Sequence, residues 1–171
     1  MKKTTNNLFY YLLLIPLTLF AQQEQSNISR FNIEGNTSLI LIKSDVGFGF
    51  GGGFGYQVSK RIGINLGYLN GTIEGDLIND KYGINKYSFN IDYRLNSHKS
   101  KYGIESIIGF SYISFDDKLN LNDGNGFGYD LGVNATLTDN KWKYGLKIVS
   151  TYNSRSPGAF LEIGTNIKYT F

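Results

Sequence analysis

The chain has 171 residues, with 17 Lys and Arg against 14 Asp and Glu, one histidine and no cysteine. That balance, with no clustered basic face, excludes a nucleic-acid binder, and the absence of thiols excludes a disulfide scaffold or a thiolate metal centre. Two prolines, 21 glycines, 12 Phe and 13 Tyr point instead to β-structure.

Lys2 and Lys3 precede an apolar run over residues 8–20, which ends at Leu19-Phe20-Ala21, an acceptable cleavage site. The run is too short to cross a bilayer comfortably and has the layout of a secretory signal peptide. Residues 1–21 are therefore predicted to be a signal peptide, 22–30 a periplasmic lead and 31–171 the folded domain. Removal of the peptide lowers the 17 basic residues by two, to 15 against 14 acids. An exported domain of this size without disulfides needs another source of stability, such as a closed sheet.

From residue 31 the sequence alternates with period two, the mark of strands with two different faces. The first predicted strand, 31–42, contains the continuous apolar run "SLILI", which leaves its register ambiguous. The second, 46–57, reads "VGFGFGGGFGYQ" and includes Gly47-Phe48-Gly49-Phe50-Gly51-Gly52, the spacing of a dinucleotide-binding turn. That turn must open a helix, and the alternating "YQVSKRIGINLGY" that follows offers none. The glycines belong to strand geometry. Gly47, Gly49, Gly51, Gly53 and Gly55 share one face, where they are expected to leave room for long charged side chains from across a barrel. Gly52 falls among the rings of the other face.

Six more strands follow, at 61–73, 86–95, 101–115, 126–137, 141–152 and 159–171. In "FGYDLGVNATL" one face is Phe, Tyr, Leu, Val, Ala and Leu, and the other is Gly128, Asp130, Gly132, Asn134 and Thr136. Only the fifth is irregular, with Ile107 and Ile113 on its polar side. Connections after the second, fourth and sixth strands are short, and those after the third and fifth are long. That alternation is the layout of a transmembrane barrel.

A soluble barrel for an apolar ligand and a membrane barrel differ in which face looks inward. An eight-stranded interior is only wide enough for ordinary side chains and cannot hold this many rings. The aromatic face therefore meets lipid, and the face of Gly, Ser, Asn and charge fills the lumen. Tyr87, Tyr102, Tyr112, Phe127, Trp142, Tyr152, Tyr169 and Phe171 lie toward strand ends, as interfacial girdles require.

The chain ends "EIGTNIKYTF", in which Glu162, Gly164, Ile167, Tyr169 and Phe171 resemble the C-terminal assembly signal of bacterial outer-membrane barrels. With the leader and eight strands, the whole resembles the small OmpX-like and OmpA-transmembrane-domain barrels. The resemblance implies an all-β, eight-stranded antiparallel up-and-down barrel in the bacterial outer membrane. It also implies partners: outer-membrane lipid and lipopolysaccharide, the barrel-assembly machinery, and an extracellular partner at the long loops. Such families include adhesion and defence proteins, structural anchors and a few enzymes. The peptidoglycan-binding domain of OmpA-like proteins is not expected here.

Little in the sequence suggests chemistry. Lipid- or peptide-cleaving barrels need a histidine base, and the sole histidine, His98, falls in the short turn "NSHKSK". The acidic stretch 116–126 fails the EF-hand spacing, since counting back from Gly124 places Leu119 at the first ligand position. With Asp76 and Asp80 it reads as a solvated loop. No cofactor, metal or catalytic residue is expected, and the protein is read as a non-enzyme. The inward charges Glu34, Asp92, Arg94, Glu105, Asp130, Lys143, Lys147, Glu162 and Lys168 are expected to pair as a salt-bridged plug without an open pore. A narrow channel or transporter for small solutes is the alternative, and a soluble β-barrel that binds an apolar ligand is the second.

Overall fold

The computed structural model describes residues 31–75, 81–116, 125–153 and 159–171. They form a closed barrel of eight antiparallel strands in sequence order. The strands are β1 (Phe31–Ile42), β2 (Asp45–Gln57), β3 (Ile62–Glu74), β4 (Lys81–Arg94), β5 (Tyr102–Phe115), β6 (Gly126–Asp139), β7 (Trp142–Tyr152) and β8 (Phe160–Thr170). Closure is made by β1 against β8, and the Phe171 amide extends it by donating to the Phe31 carbonyl at 3.0 Å. The expected signal peptide and lead lie outside the described residues.

The register sets the shape. Starting at Tyr102, partners run through Leu137, Tyr144, Ile167, Gly35, Gly52, Tyr68 and Tyr87. The path re-enters β5 at Tyr112, ten residues beyond its start. For eight strands with ordinary spacings, a stagger of that size gives a tilt of about 40° and a backbone radius of about 8 Å. A cylinder this narrow has room inside for one layer of side chains from each strand.

Two ends of the barrel differ. One rim carries both barrel termini and the turns 58–61, 95–101 and 140–141; the other carries the connections 75–80, 116–125 and 153–159. By the barrel rule the first rim is periplasmic and the second extracellular. The brief first extracellular connection is a tight turn at Lys43 and Ser44, with Lys43 at φ 53°. Asn140 has the same φ in the opposite rim's two-residue turn, where its short polar side chain suits the left-handed region.

The alternation is oriented as the volume argument requires. Phe54, Tyr102, Phe127 and Tyr129 are each at least 70% exposed on the outer wall, whereas Asp130 and Thr151 inside are at 0%. Ring pairs Tyr68–Tyr87 and Tyr112–Phe127 form one aromatic belt, and Trp142–Tyr169 and Tyr169–Phe171 form part of the other. One boundary differs materially from expectation. β4 starts at Lys81, five residues before the predicted 86, because Tyr82, Ile84 and Lys86 continue the inward alternation.

The five inward glycines of β2 have a different cause from the one expected. An added β-carbon at Gly51 would lie 2.4 Å from the Tyr68 carbonyl oxygen, and one at Gly53 2.4 Å from that of Leu66. At Gly47 it would meet Thr72 and Ile73, and at Gly55 the amides of Asn65 and Asn32. The nearest neighbours are thus adjacent strands, and Arg94, Glu105, Lys147 and Glu162 are not among them. Glycine here permits close approach of the neighbouring strands. No bulge accompanies Gly52, which keeps the ladder by pairing with Gly35 and Tyr68.

Since the obstacle is backbone, even a methyl group should be resisted. Gly51→Ala is expected to cost about 1–3 kcal/mol, read from denaturant unfolding in lipid vesicles. A neutral substitution would show that this wall relaxes freely.

Candidate functional site

The interior is layered along the barrel axis. Nearest the extracellular rim, Ile40, Ile42, Leu69, Ile73, Tyr82, Ile84, Ile113, Phe115 and Phe160 form a buried apolar cluster. The two isoleucines that broke the pattern of β5 belong to this interior: Ile113 to the cluster, Ile107 buried deeper in the barrel. The alternation predicts a polar lumen throughout. Its extracellular end is apolar, because Ile40 and Ile42 of "SLILI" point inward there.

Directly beneath lies the most buried charge cluster. Lys86 pairs with Glu162 and, at 3.2 Å, with Asp130; its ammonium also donates to Thr151 Oγ1 at 2.7 Å. Asp130 accepts from Ser111 at 3.0 Å and from Thr151 at 2.5 Å, so its charge is fully coordinated. The Lys86 ammonium also stands 5.3 Å from the centre of the Phe160 ring, which couples this layer to the apolar one. All three ionic side chains are at most 4% exposed.

A second cluster occupies the periplasmic half. Lys168 lies 3.3 Å from Glu34 and 3.4 Å from Asp92, and Lys147 lies 3.8 Å from Glu34. Amides complete the shell: Asn166 donates to Glu34 at 3.1 Å and Asn65 to Asp92 at 2.6 Å. Lys143 pairs with Glu105 at 2.7 Å. Between the clusters remains a space of about 60 Å³, lined among others by Asn36, Asn134, Lys147 and Glu162. It admits about four water molecules. The side-chain oxygens of Asn36, Asn134 and Asn166 accept from no protein donor.

All nine sequence-predicted lumen charges point inward, but two details differ. Arg94 is in none of these ion pairs; its guanidinium donates to the carbonyls of Ser100 and Tyr102, at 2.8 and 3.1 Å, and so braces the periplasmic turn. Lys86 was missed, although it shares the parity of Ser88, Asn90 and Asp92, because it stood at the presumed start of its strand. With it, the ten named charges comprise five cations and five anions.

The C-terminal motif divides between the two faces. Glu162 and Gly164 face inward, the first paired with Lys86, the second so close to β1 that a β-carbon would lie 2.1 Å from the Thr37 carbonyl oxygen. Ile167 and Phe171 face outward, and Tyr169 packs 4.8 Å from Trp142. His98 is exposed in the turn between β4 and β5. The loop acids Asp76 and Asp80 and most of 116–126 lie outside the described residues.

With this geometry in hand, the comparisons are direct. The sequence matches the outer membrane protein beta-barrel domain family over residues 12–171. The chain belongs to that family and is a protein of the bacterial outer membrane. A search of curated proteins finds no match. Among solved structures, it is similar to the N-terminal beta-barrel domain of Pseudomonas aeruginosa OprF at 13% identity, covering 82% of this chain and 97% of that one, with a TM-score of 0.57. Neisserial surface protein A (NspA) is similar at 11% identity, with 82% and 97% covered and a TM-score of 0.59. The outer membrane enzyme PagL is similar at 11% identity, with 82% and 99% covered and a TM-score of 0.54. At these identities the likeness is one of fold.

A lone ammonium holding two buried carboxylates is a severe dependency. Lys86→Met should destabilise the barrel by about 3–5 kcal/mol, because it strands uncompensated charge. Adding Asp130→Asn and Glu162→Gln should recover most of that loss in vesicle unfolding. A single substitution without effect would mean the cluster is solvated.

Proposed function

We propose that this protein is a sealed, non-catalytic outer-membrane barrel that serves as a structural or surface-interaction element and presents its extracellular connections as the contact surface. One observation carries the reading: below an apolar layer, paired charges of both signs cross the lumen, and the space between the two clusters measures about 60 Å³. A conducting pathway needs a continuous wet bore, and moving an ion through would require breaking several buried pairs, each costly. The non-enzyme reading rests on the chain's single histidine, which is exposed on the periplasmic rim. PagL is an outer membrane enzyme, and the similarity to it extends to architecture alone.

Assembly belongs to the same proposal. Glu162, Gly164, Ile167, Tyr169 and Phe171 act as the signal read by the barrel-assembly machinery, after export directed by residues 1–21. The loops then face an extracellular partner in a leaflet rich in lipopolysaccharide.

Reconstitution into planar bilayers tests the sealed lumen: no discrete conductance steps are expected, and reproducible single-channel steps would establish the channel alternative. Deletion of Phe171 should reduce the amount reaching the outer membrane, measured by fractionation. Normal assembly of the shortened chain would remove the signal from the account.

A further inference from the structure

Two neighbouring grooves mark the periplasmic half of the outer wall. The first lies across β8, β1 and β2, measures about 770 Å³, and is bounded by Phe50, Ile167, Trp142 and Tyr169 over a floor that includes Gly35. The second lies across β5 to β8, measures about 630 Å³, and is bounded by Tyr102, Leu137, Tyr144 and Leu146. Thr165 and Ile167 line both, so β8 is the ridge between them.

Gly35, on the outward face, forms part of the floor of the first groove. A β-carbon at Gly35 would meet nothing within 4 Å. Gly35 is therefore not required by packing, and the opening is a feature of the lipid-facing surface itself. From Tyr169 to Thr165 the groove climbs four residues of a tilted strand, about 10 Å, or a third of the hydrocarbon core.

The rim above which both grooves open is cationic. Lys141 is exposed in the β6–β7 turn, with its ammonium 5.9 Å from the Tyr169 ring centre, and Tyr169 contacts Trp142. Lys101 is exposed on the neighbouring turn, and Asp139 is the acid beside them. The Lys141 ammonium beside a Tyr and a Trp at the membrane interface suits a phosphate at headgroup depth.

We propose that this face binds a two-chain phospholipid of the periplasmic leaflet, with its phosphate at Lys141 and one acyl chain in each groove. The juxtaposition of two apolar grooves, a single dividing ridge and one cationic rim matches a molecule with two tails and one anionic head. A second copy of the chain fits less well. A two-fold contact sets the same patch against itself and would bring the Lys141 and Lys101 rims together.

The test is native mass spectrometry of the full mature chain in mild detergent, titrated with phosphatidylglycerol and, separately, with a phosphate-free diacylglycerol. One phosphatidylglycerol per barrel is expected. Lys141→Ala should weaken its retention about fivefold, the ratio that one basic residue near an anionic lipid surface supplies, and should leave diacylglycerol unaffected. Gly35→Phe, which fills open space, should displace the lipid while the barrel keeps its heat-dependent gel mobility; Gly35→Leu serves if the larger ring impairs folding. Unchanged retention in the folded groove-filling variant overturns the proposal. So does loss of a dimer in that variant in place of loss of lipid, which would assign the face to a contact between copies.

Discussion

In hydrocarbon, a backbone amide without a partner costs several kcal/mol, so a sheet in a bilayer has to close on itself. Everything else in this molecule follows from how it closes. Eight strands with a stagger of ten residues give a narrow, strongly tilted cylinder. The outer wall faces a solvent that accepts Phe, Tyr and Leu freely, and the aromatic surplus of the sequence goes there. The interior is left with one shell of side chains per strand and must be filled by them. Along β2 even that shell is too much, and glycine takes over because backbone and side chains of the adjacent strands occupy the β-carbon's place.

The filling has a logic set by desolvation. A charge confined under an apolar cap has no water to turn to, so each one is met by an opposite charge, a hydroxyl or an amide. Lys86 illustrates the economy of the arrangement. It links β4 to β6 and β8 through Asp130 and Glu162, and touches the apolar layer through Phe160. Lys168 does the same lower down, joining β8 to Glu34 of β1 and Asp92 of β4. These are contacts across the lumen, between strands that share no ladder in most cases. They brace the cylinder in the direction that backbone hydrogen bonds cannot.

Much of this was legible in the sequence, because period two is a direct readout of a two-sided wall. Alternation gave the number of strands, the closing order and the parity of every inward charge that was named. What it could not give is contact across the barrel. Parity placed Arg94 and Glu105 on the same face and in register, yet Arg94 turns to the carbonyls of its own turn and Glu105 to Lys143. The glycines of β2 invited a similar error. Their face was read correctly, but the need for them comes from the close approach of the neighbouring strands, which no one-dimensional pattern encodes. The apolar cap was hidden for another reason: "SLILI" is apolar on both faces, so its inward half could not be separated from its outward half without a register. Lys86 was the reverse case, a signal present in the parity of β4 and lost only because the strand was started too late.

The proposed sealed barrel requires that the Lys86 ammonium be locked in a paired cluster out of contact with bulk water. Nitrogen-15 NMR of the lysine side chains in micelles addresses it most directly, since an ammonium signal survives only where exchange with water is slow. The account predicts a distinct, slowly exchanging resonance for Lys86, absent in Lys86→Met and unaffected by that change at the exposed lysines. Exchange at Lys86 as fast as at the exposed Lys141 would mean that water reaches the cluster freely, and the sealed interior would have to be abandoned.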